Sequence, residues 1–278
     1  MSENTAPGFP HTLPATPEEE PPSAGLVLNS TIQTQLSHRT IRAFKDEPVG
    51  EDVVATLLDV ARRTPTCGFY QQLTIIRIKN QEIREQIFEA SGQPYVGGNR
   101  GELFIFVADL SRTAQIRKEN DADLEPVGRT YLFHAAAEDA VLAVQNAAVA
   151  AESLGFGTCL LGSIIGDPMK VIKALKLPKY TYPILGLLVG HPDQQPQMKP
   201  RLPRIVTTSI DTYPNADSAD YQEAMAQYDQ TIQTYYDMRE GGRRQDSFTH
   251  QIISKVGNGR AEQTDVIKVL NAQGLCTH

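Results

Sequence analysis

Residues 38–42 read His38-Arg39-Thr40-Ile41-Arg42, which puts two arginines, a histidine and a hydroxyl within five positions of an acidic chain. Arg39 and Arg42 stay charged at any physiological pH, and their planar forks suit phosphate oxygens. Two more basic groups lie far downstream: Lys199 with Arg201, and Arg239 with Arg243 and Arg244. Pro200 and Pro203 stiffen the loop that carries Lys199 and Arg201. In a chain of net charge −7, such clusters suit convergence on an anion. Their number points to more than one phosphate, such as a mononucleotide plus a second phosphorylated ligand.

Side-chain constellations for acid–base or nucleophilic catalysis are not apparent. There is no Gly-x-Ser-x-Gly elbow and no phosphate loop ending in Lys-Ser/Thr. Gly155-Phe156-Gly157 follows a helical pattern instead of opening one, so it is not a dinucleotide fingerprint. The six histidines show no metal spacing, and His134, at the start of an apolar helix, reads as structural. Cys67 also reads as structural. Phosphate-binding groups without an acid–base set fit a cofactor that carries the chemistry itself.

The chain's 278 residues suit one large domain or two small ones. Its acidity argues against nucleic acid and anionic membranes as partners. No apolar run reaches the ~18 residues of a bilayer span, and no basic-then-apolar signal segment opens the chain. Cys67, Cys159 and Cys276 are scattered and odd in number, so a reducing cytoplasm is the expected home. Residues 1–25, rich in proline and acid, read as a flexible leader.

The elements that must position the basic groups follow from periodicity and caps. Helices are expected at 29–36, 52–63, 81–91, 134–154, 168–175, 221–238 and 262–273. Strands are expected at 73–79, 103–108 and 182–190, with a short strand or loop at 158–163. Residues 111–128 read as a loop with at most one helical turn. The 134–154 helix is apolar nearly all round, which places it mid-fold or at a subunit contact. The tyrosines between 221 and 236 read as packing. Gly241-Gly242-Arg243-Arg244 reads as a basic hinge. Helices and strands mix without regular alternation, so the fold class is α+β.

Several segments, in order, carry a resemblance. They are His38-Arg39-Thr40-Ile41-Arg42-x-Phe44-x-Asp46-Glu47-Pro48, Ala61-Arg62-x-Thr64, Phe69-x-Gln71, Ser91-Gly92-Gln93, Gln145-Asn146-Ala147 through Gly155, Leu175 to Pro178, and Lys199 to Pro203. Over about residues 30–275 the chain resembles the FMN-dependent nitroreductase family, in its oxygen-insensitive NADPH nitroreductase and flavin reductase branch. The resemblance implies a central sheet flanked by helices in an intertwined homodimer, with two FMN sites at the interface. Residues 26–278 would form the nitroreductase domain, and its C-terminal arm, about 205–278, would embrace the partner.

The resemblance also implies roles. His38, Arg39, Thr40 and Arg42 hold the FMN phosphate and ribityl end, and Lys199 and Arg201 complete the clamp. Thr66, Gly68 and Gln71 lie at the isoalloxazine, which Gln93 reaches from its own loop. Leu161, Gly162 and Ser163 run along the ring and ribityl chain. Arg239, Arg243 and Arg244 correspond to a mobile basic loop that takes the 2′-phosphate of NADPH as co-substrate. The implied activity is two-electron reduction of nitroaromatics, quinones or related small acceptors, with no side-chain acid or base. A flavin reductase supplying free reduced flavin, or a non-catalytic FMN-binding sensor, remain alternatives.

Overall fold

The computed structural model describes residues 26–240, 246–258 and 263–278, with side chains for all of these except 236–240. The expected leader and the Gly241–Arg244 hinge lie outside the described residues. The chain divides into two compact units, one built from Leu28–Pro196 with Gln263–His278, the other including Gln197–Glu262.

In the first unit the order is α1 (Ser30–Leu36), α2 (Glu51–Arg62), β1 (Leu73–Ile78), α3 (Gln81–Ser91), β2 (Glu102–Asp109), α4 (Ser111–Glu119), α5 (Thr130–Ser153), β3 (Gly157–Leu161), α6 (Pro168–Ala174) and β4 (Thr181–Gly190). The second unit contributes α7 (Arg204–Thr207), α8 (Ala219–Glu240) and α9 (Phe248–Lys255); α10 (Val266–Ala272) belongs to the first. The caps follow residue chemistry. Asn29, Asn80 and Asp167 each accept a backbone N–H of the helix they open. Gly92 closes α3 in the left-handed conformation (φ +67°), which glycine adopts without penalty.

The sheet has four strands in the order β1-β2-β4-β3, every neighbouring pair antiparallel. This is an α+β arrangement, as the sequence implies. The apolar run of β2 sits in the middle and is buried on both faces. On one face, Phe104, Phe106, Leu187 and Val189 pack with α2 and the alanine-rich face of α5. On the other, Leu103, Ile105 and Leu188 pack with Ile87 and Ala90 of α3 and Val171 of α6. A third cluster joins Ala108, Leu110 and Tyr182 to Leu270 and Leu275, so the last residues of the chain pack within the first unit. In the second unit Tyr228 and Tyr235 are buried with Ile232, and Tyr228 stacks edge-on with Phe248. Those tyrosines pack, as expected.

The structure corrects three expectations. Residues 111–119 form a nine-residue helix where a loop was expected. Only Ala114 of this helix is buried, so its sequence has no apolar stripe to announce it. α5 begins at Thr130, a turn before the expected start, and it is not apolar all round. One face, from Ala135 to Ala151, is buried; the other shows Tyr131, His134, Glu138, Val141, Leu142 and Gln145 to solvent. α9 was not anticipated, and Ser247 caps it.

The 38–42 segment is placed by the sheet edge. Thr40 makes a parallel bridge to Thr158 of β3, and the Ile41 N–H donates to the Thr158 carbonyl at 2.8 Å. Gly157 permits this approach, since a Cβ there would lie 2.7 Å from Ile41 Cγ1 and 2.9 Å from Ile41 Cβ. Ile41 is itself buried and cannot swing away. Gly157→Ala is expected to destabilise the protein by about 1–3 kcal/mol, the usual range for overpacking. Thermal or urea unfolding of the two proteins side by side measures this, and equal stability would mean the 38–42 segment yields freely.

Candidate functional site

Two groups of site residues assemble in the first unit, and α5 anchors both. The first lies along β3, from Thr158 near its start to the turn after Leu161. His38 Nδ1 lies 2.7 Å from Glu152 Oε1, and the Thr158 hydroxyl donates to the same oxygen at 2.5 Å. A carboxylate only accepts, so it is Nδ1 of His38 that carries the proton in this pair, leaving Nε2 to face elsewhere. Arg42 is exposed, and its guanidinium carbon lies 5.6 Å from the centroid of the Tyr95 ring. Among the described residues, neither Arg39 nor Arg42 makes an ion pair with a carboxylate. Their charge is therefore not balanced by a carboxylate of the described residues.

The 161–163 stretch follows directly. Leu161 is buried, Gly162 is exposed, and a Cβ added at Gly162 would meet nothing within 4 Å. The hydroxyls of Ser163 and Ser91 lie 2.9 Å apart, which ties this turn to the end of α3. Gln93, half-buried, sits two residues beyond Ser91 in a turn closed by the Val96 N–H on the Gln93 carbonyl at 3.0 Å. Buried Arg84 pins the far side of that loop, donating to the carbonyls of Val96, Arg100 and Gly101 at 2.7–2.9 Å. His38, Arg39, Thr40, Arg42, Gln93, Leu161, Gly162 and Ser163 thus share one neighbourhood.

The second group is the turn from Thr66 to Gln71. Asp139, only 1% exposed, accepts the Cys67 N–H at 2.8 Å and the Gln72 N–H at 3.0 Å. Between these bonds Gly68, Phe69 and Gln71 all take positive φ, at 59°, 59° and 52°. For Phe69 and Gln71 that conformation costs about 1–2 kcal/mol each, so the surrounding bonds must enforce it. Phe69 and Tyr70 stand 81% and 65% exposed beside it. Cys67 Sγ lies 4.0 Å from the Tyr131 hydroxyl. Cys159, by contrast, is buried, and burial pushes its thiol up to about 11.

Asp139 and Glu152 lie thirteen residues apart on α5, which at ~1.5 Å per residue separates the two groups' anchors by about 20 Å along the helix. Lys199 and Arg201 belong to the second unit, where both are exposed and Arg201 donates to the Lys199 carbonyl at 2.7 Å. The side chain of Arg239, and all of Arg243 and Arg244, lie outside the described residues.

Sequence reasoning missed Asp139, Tyr95 and the pairing of Glu152 with His38. One signal was available for Asp139. An acid at the start of an alanine-rich helical face must have hydrogen-bond donors brought to it.

Comparison with known proteins identifies the family. The Nitroreductase family model matches residues 36–191, and that of the Nitroreductase family C-terminal domain matches residues 199–278. An NADPH-dependent oxidoreductase of Staphylococcus aureus (strain bovine RF122 / ET3-1) is 39% identical over 241 residues, covering 86% of this chain and 94% of that protein. The NfrA1 nitroreductase from B. subtilis superposes with a TM-score of 0.84 at 33% identity, covering 89% of this chain and all of its own. The NADPH:FMN oxidoreductase from Vibrio harveyi, solved with NAD+, superposes with a TM-score of 0.78 at 29% identity, covering 90% and 100%. With both family models matched across most of its length and a relative of this similarity, the chain belongs to the nitroreductase family.

Proposed function

We propose that this protein is an FMN-dependent NAD(P)H oxidoreductase that reduces nitroaromatics, quinones or related acceptors by ping-pong two-electron transfer. The observation that carries the reading is the set along β3: Arg39 and Arg42 without carboxylate partners, His38 oriented by Glu152, and open space at Gly162. These residues fit FMN, because cationic donors suit its phosphate and the bare backbone at Gly162 leaves room for the ribityl chain and ring. Bound FMN would supply the redox chemistry, taking hydride from the nicotinamide and passing two electrons to the acceptor. The chain's part is to bind and orient. Thr40 and Ser163 add hydroxyl donors and Gln93 an amide, and Lys199 and Arg201 are assigned to the phosphate on sequence grounds alone. Thr66, Gly68 and Gln71 serve the isoalloxazine end. Arg239, Arg243 and Arg244 are assigned to the 2′-phosphate of NADPH on sequence grounds alone. Three free thiols and the named relatives favour a cytoplasmic setting.

The same geometry suits a homodimer. The two groups of one chain are anchored about 20 Å apart along α5. A two-fold axis across the exposed face of α5 would bring one chain's Thr66–Gln71 turn beside the partner's His38–Arg42 segment. Val141 and Leu142, 45% and 46% exposed at the middle of that face, would be covered by the contact. Of the expected arm of residues 205–278, residues 205–262 are assigned to the same embrace, since 263–278 pack within the first unit. The name of the Vibrio harveyi relative favours a second reading, a flavin reductase that releases reduced flavin.

Four measurements test these readings. Purified protein reconstituted with FMN is expected to keep a flavin absorption spectrum after desalting and to bleach with NADPH without oxygen; colourless protein would end the FMN assignment. Turnover with menadione or nitrofurazone compared with free FMN separates the acceptor classes, and a non-catalytic sensor would turn over with none of them. Arg201→Ala is expected to weaken FMN binding by about 1.5–3 kcal/mol, the size of one charged hydrogen bond; unchanged affinity in a fluorescence titration removes Arg201 from the clamp. Leu142→Asp is expected to convert dimer to monomer in sedimentation velocity and to lose FMN with it, since a charge there would be buried unpaired.

A further inference from the structure

Arg112, on the helix that the sequence did not announce, makes four hydrogen bonds, all towards the start of β1 and the end of β2. One terminal nitrogen donates to the carbonyls of Gln71 and Leu73, at 2.8 Å and 2.7 Å. The other donates to the Asp109 carboxylate at 2.7 Å and to the Thr74 hydroxyl at 2.8 Å. Asp109 is itself held: it accepts the Thr74 hydroxyl at 2.5 Å, the Ser111 hydroxyl at 2.6 Å and the Ser111 N–H at 2.9 Å. Its own backbone N–H donates to the Gln72 carbonyl at 3.0 Å. The three consecutive carbonyls of residues 71–73 are therefore all engaged, two by Arg112 and one by Asp109.

The Gln71–Gln72 peptide is gripped from both sides. Its carbonyl accepts from Arg112 and its N–H donates to Asp139. Gln71 holds a positive φ at this peptide, and Phe69 holds another two residues earlier. A turn with two strained residues relaxes unless something over-determines it. The donors and acceptors that do so come from elements outside the turn, α4 and α5. Arginine suits the α4 position because its rigid fork can serve two carbonyls and a carboxylate at once, which a lysine ammonium cannot match in geometry.

We propose that Arg112 is a positioning residue for the oxidoreductase reaction: with Asp139 opposite, it fixes the Gln71–Gln72 peptide, and so aims the Thr66–Gln71 turn at the isoalloxazine and the acceptor bound over it. This rests on the assignment of that turn to the isoalloxazine end of an FMN site. Arg112 touches neither phosphate-binding group, so its loss should leave cofactor retention almost intact and fall on the acceptor step. Reactions that depend on near-attack geometry can lose about a hundred-fold for a displacement of ~1 Å.

The test uses full-length protein loaded with FMN, wild type beside Arg112→Ala and Arg112→Lys. Each is followed by thermal melting, FMN titration, visible-region circular dichroism of the bound flavin, and steady-state kinetics with menadione. The expected result is FMN affinity within about two-fold of wild type, an altered flavin dichroism, and kcat/KM for menadione lowered about ten-fold or more. Arg112→Lys keeps the charge but not the fork, and is expected to resemble Arg112→Ala. Should Arg112→Ala not fold, Arg112→Lys carries the comparison. Wild-type dichroism and kcat/KM within two-fold in a folded variant that binds FMN would overturn the proposal and leave the FMN assignment standing. Full rescue by lysine would also overturn it, because charge alone would then suffice. Wild-type protein that takes up no FMN would overturn the assignment, and the proposal with it.

Discussion

A buried carboxylate must be given donors, and on α5 that requirement organises half of the site. Asp139 enters the interior on the alanine-rich face that seats α5 against the sheet. Left unpaired there, an ionised acid would be expelled or protonated. It is satisfied by two backbone N–H groups from the Cys67–Gln72 segment, and closing those bonds forces the chain between them into a tight left-handed turn. Glu152 plays a related part at the other end of the helix. It is less deeply buried and satisfied by His38 and Thr158, and it ties the N-terminal basic segment to the strand it lies along. One helix thereby sets the relative placement of two stretches that have no sequence proximity.

The sheet supplies the rigidity these contacts need. β2 is central and buried on both faces, so its ends are poorly able to shift. Asp109 terminates it and passes its position to Arg112 and Thr74. β3 is an edge strand whose outer side takes the Thr40 bridge, so an edge that would otherwise invite pairing is partly covered by the 38–42 segment. Small residues matter where backbone meets side chain. Ile41 lies directly on Gly157, and the sheet edge could not receive the 38–42 segment over a larger residue.

Much of the fold was legible because single residues announce it. Asn80 and Gly92 bracket α3 by capping chemistry. The run from Leu103 to Ala108 has no polar interruption and can only be a strand buried on both faces. The site was half legible. Arg39 and Arg42 stand out by their fixed charge in an acidic chain. α4 was not legible, since nine largely polar residues show no periodicity, and its Arg112 makes its contacts to residues about forty positions away. The first residues of α5 were missed because they precede the apolar stripe.

The sequence by itself determined the helices and strands with a capped or apolar signature, the α+β class, the acidic balance, and the identity of the basic residues available to an anion. Those are properties of local stretches, decided by steric preference, periodicity and charge. Only the tertiary structure decided which carboxylate each segment would answer to: Glu152 for His38, Asp139 for the Cys67–Gln72 turn, Asp109 for Arg112. The first two are contacts over long sequence separation; the third is local, but Asp109 meets Arg112 because β2 ends where α4 begins. Such choices are settled by burial, because an acid excluded from water must take whatever donors the packed sheet and helices bring to it.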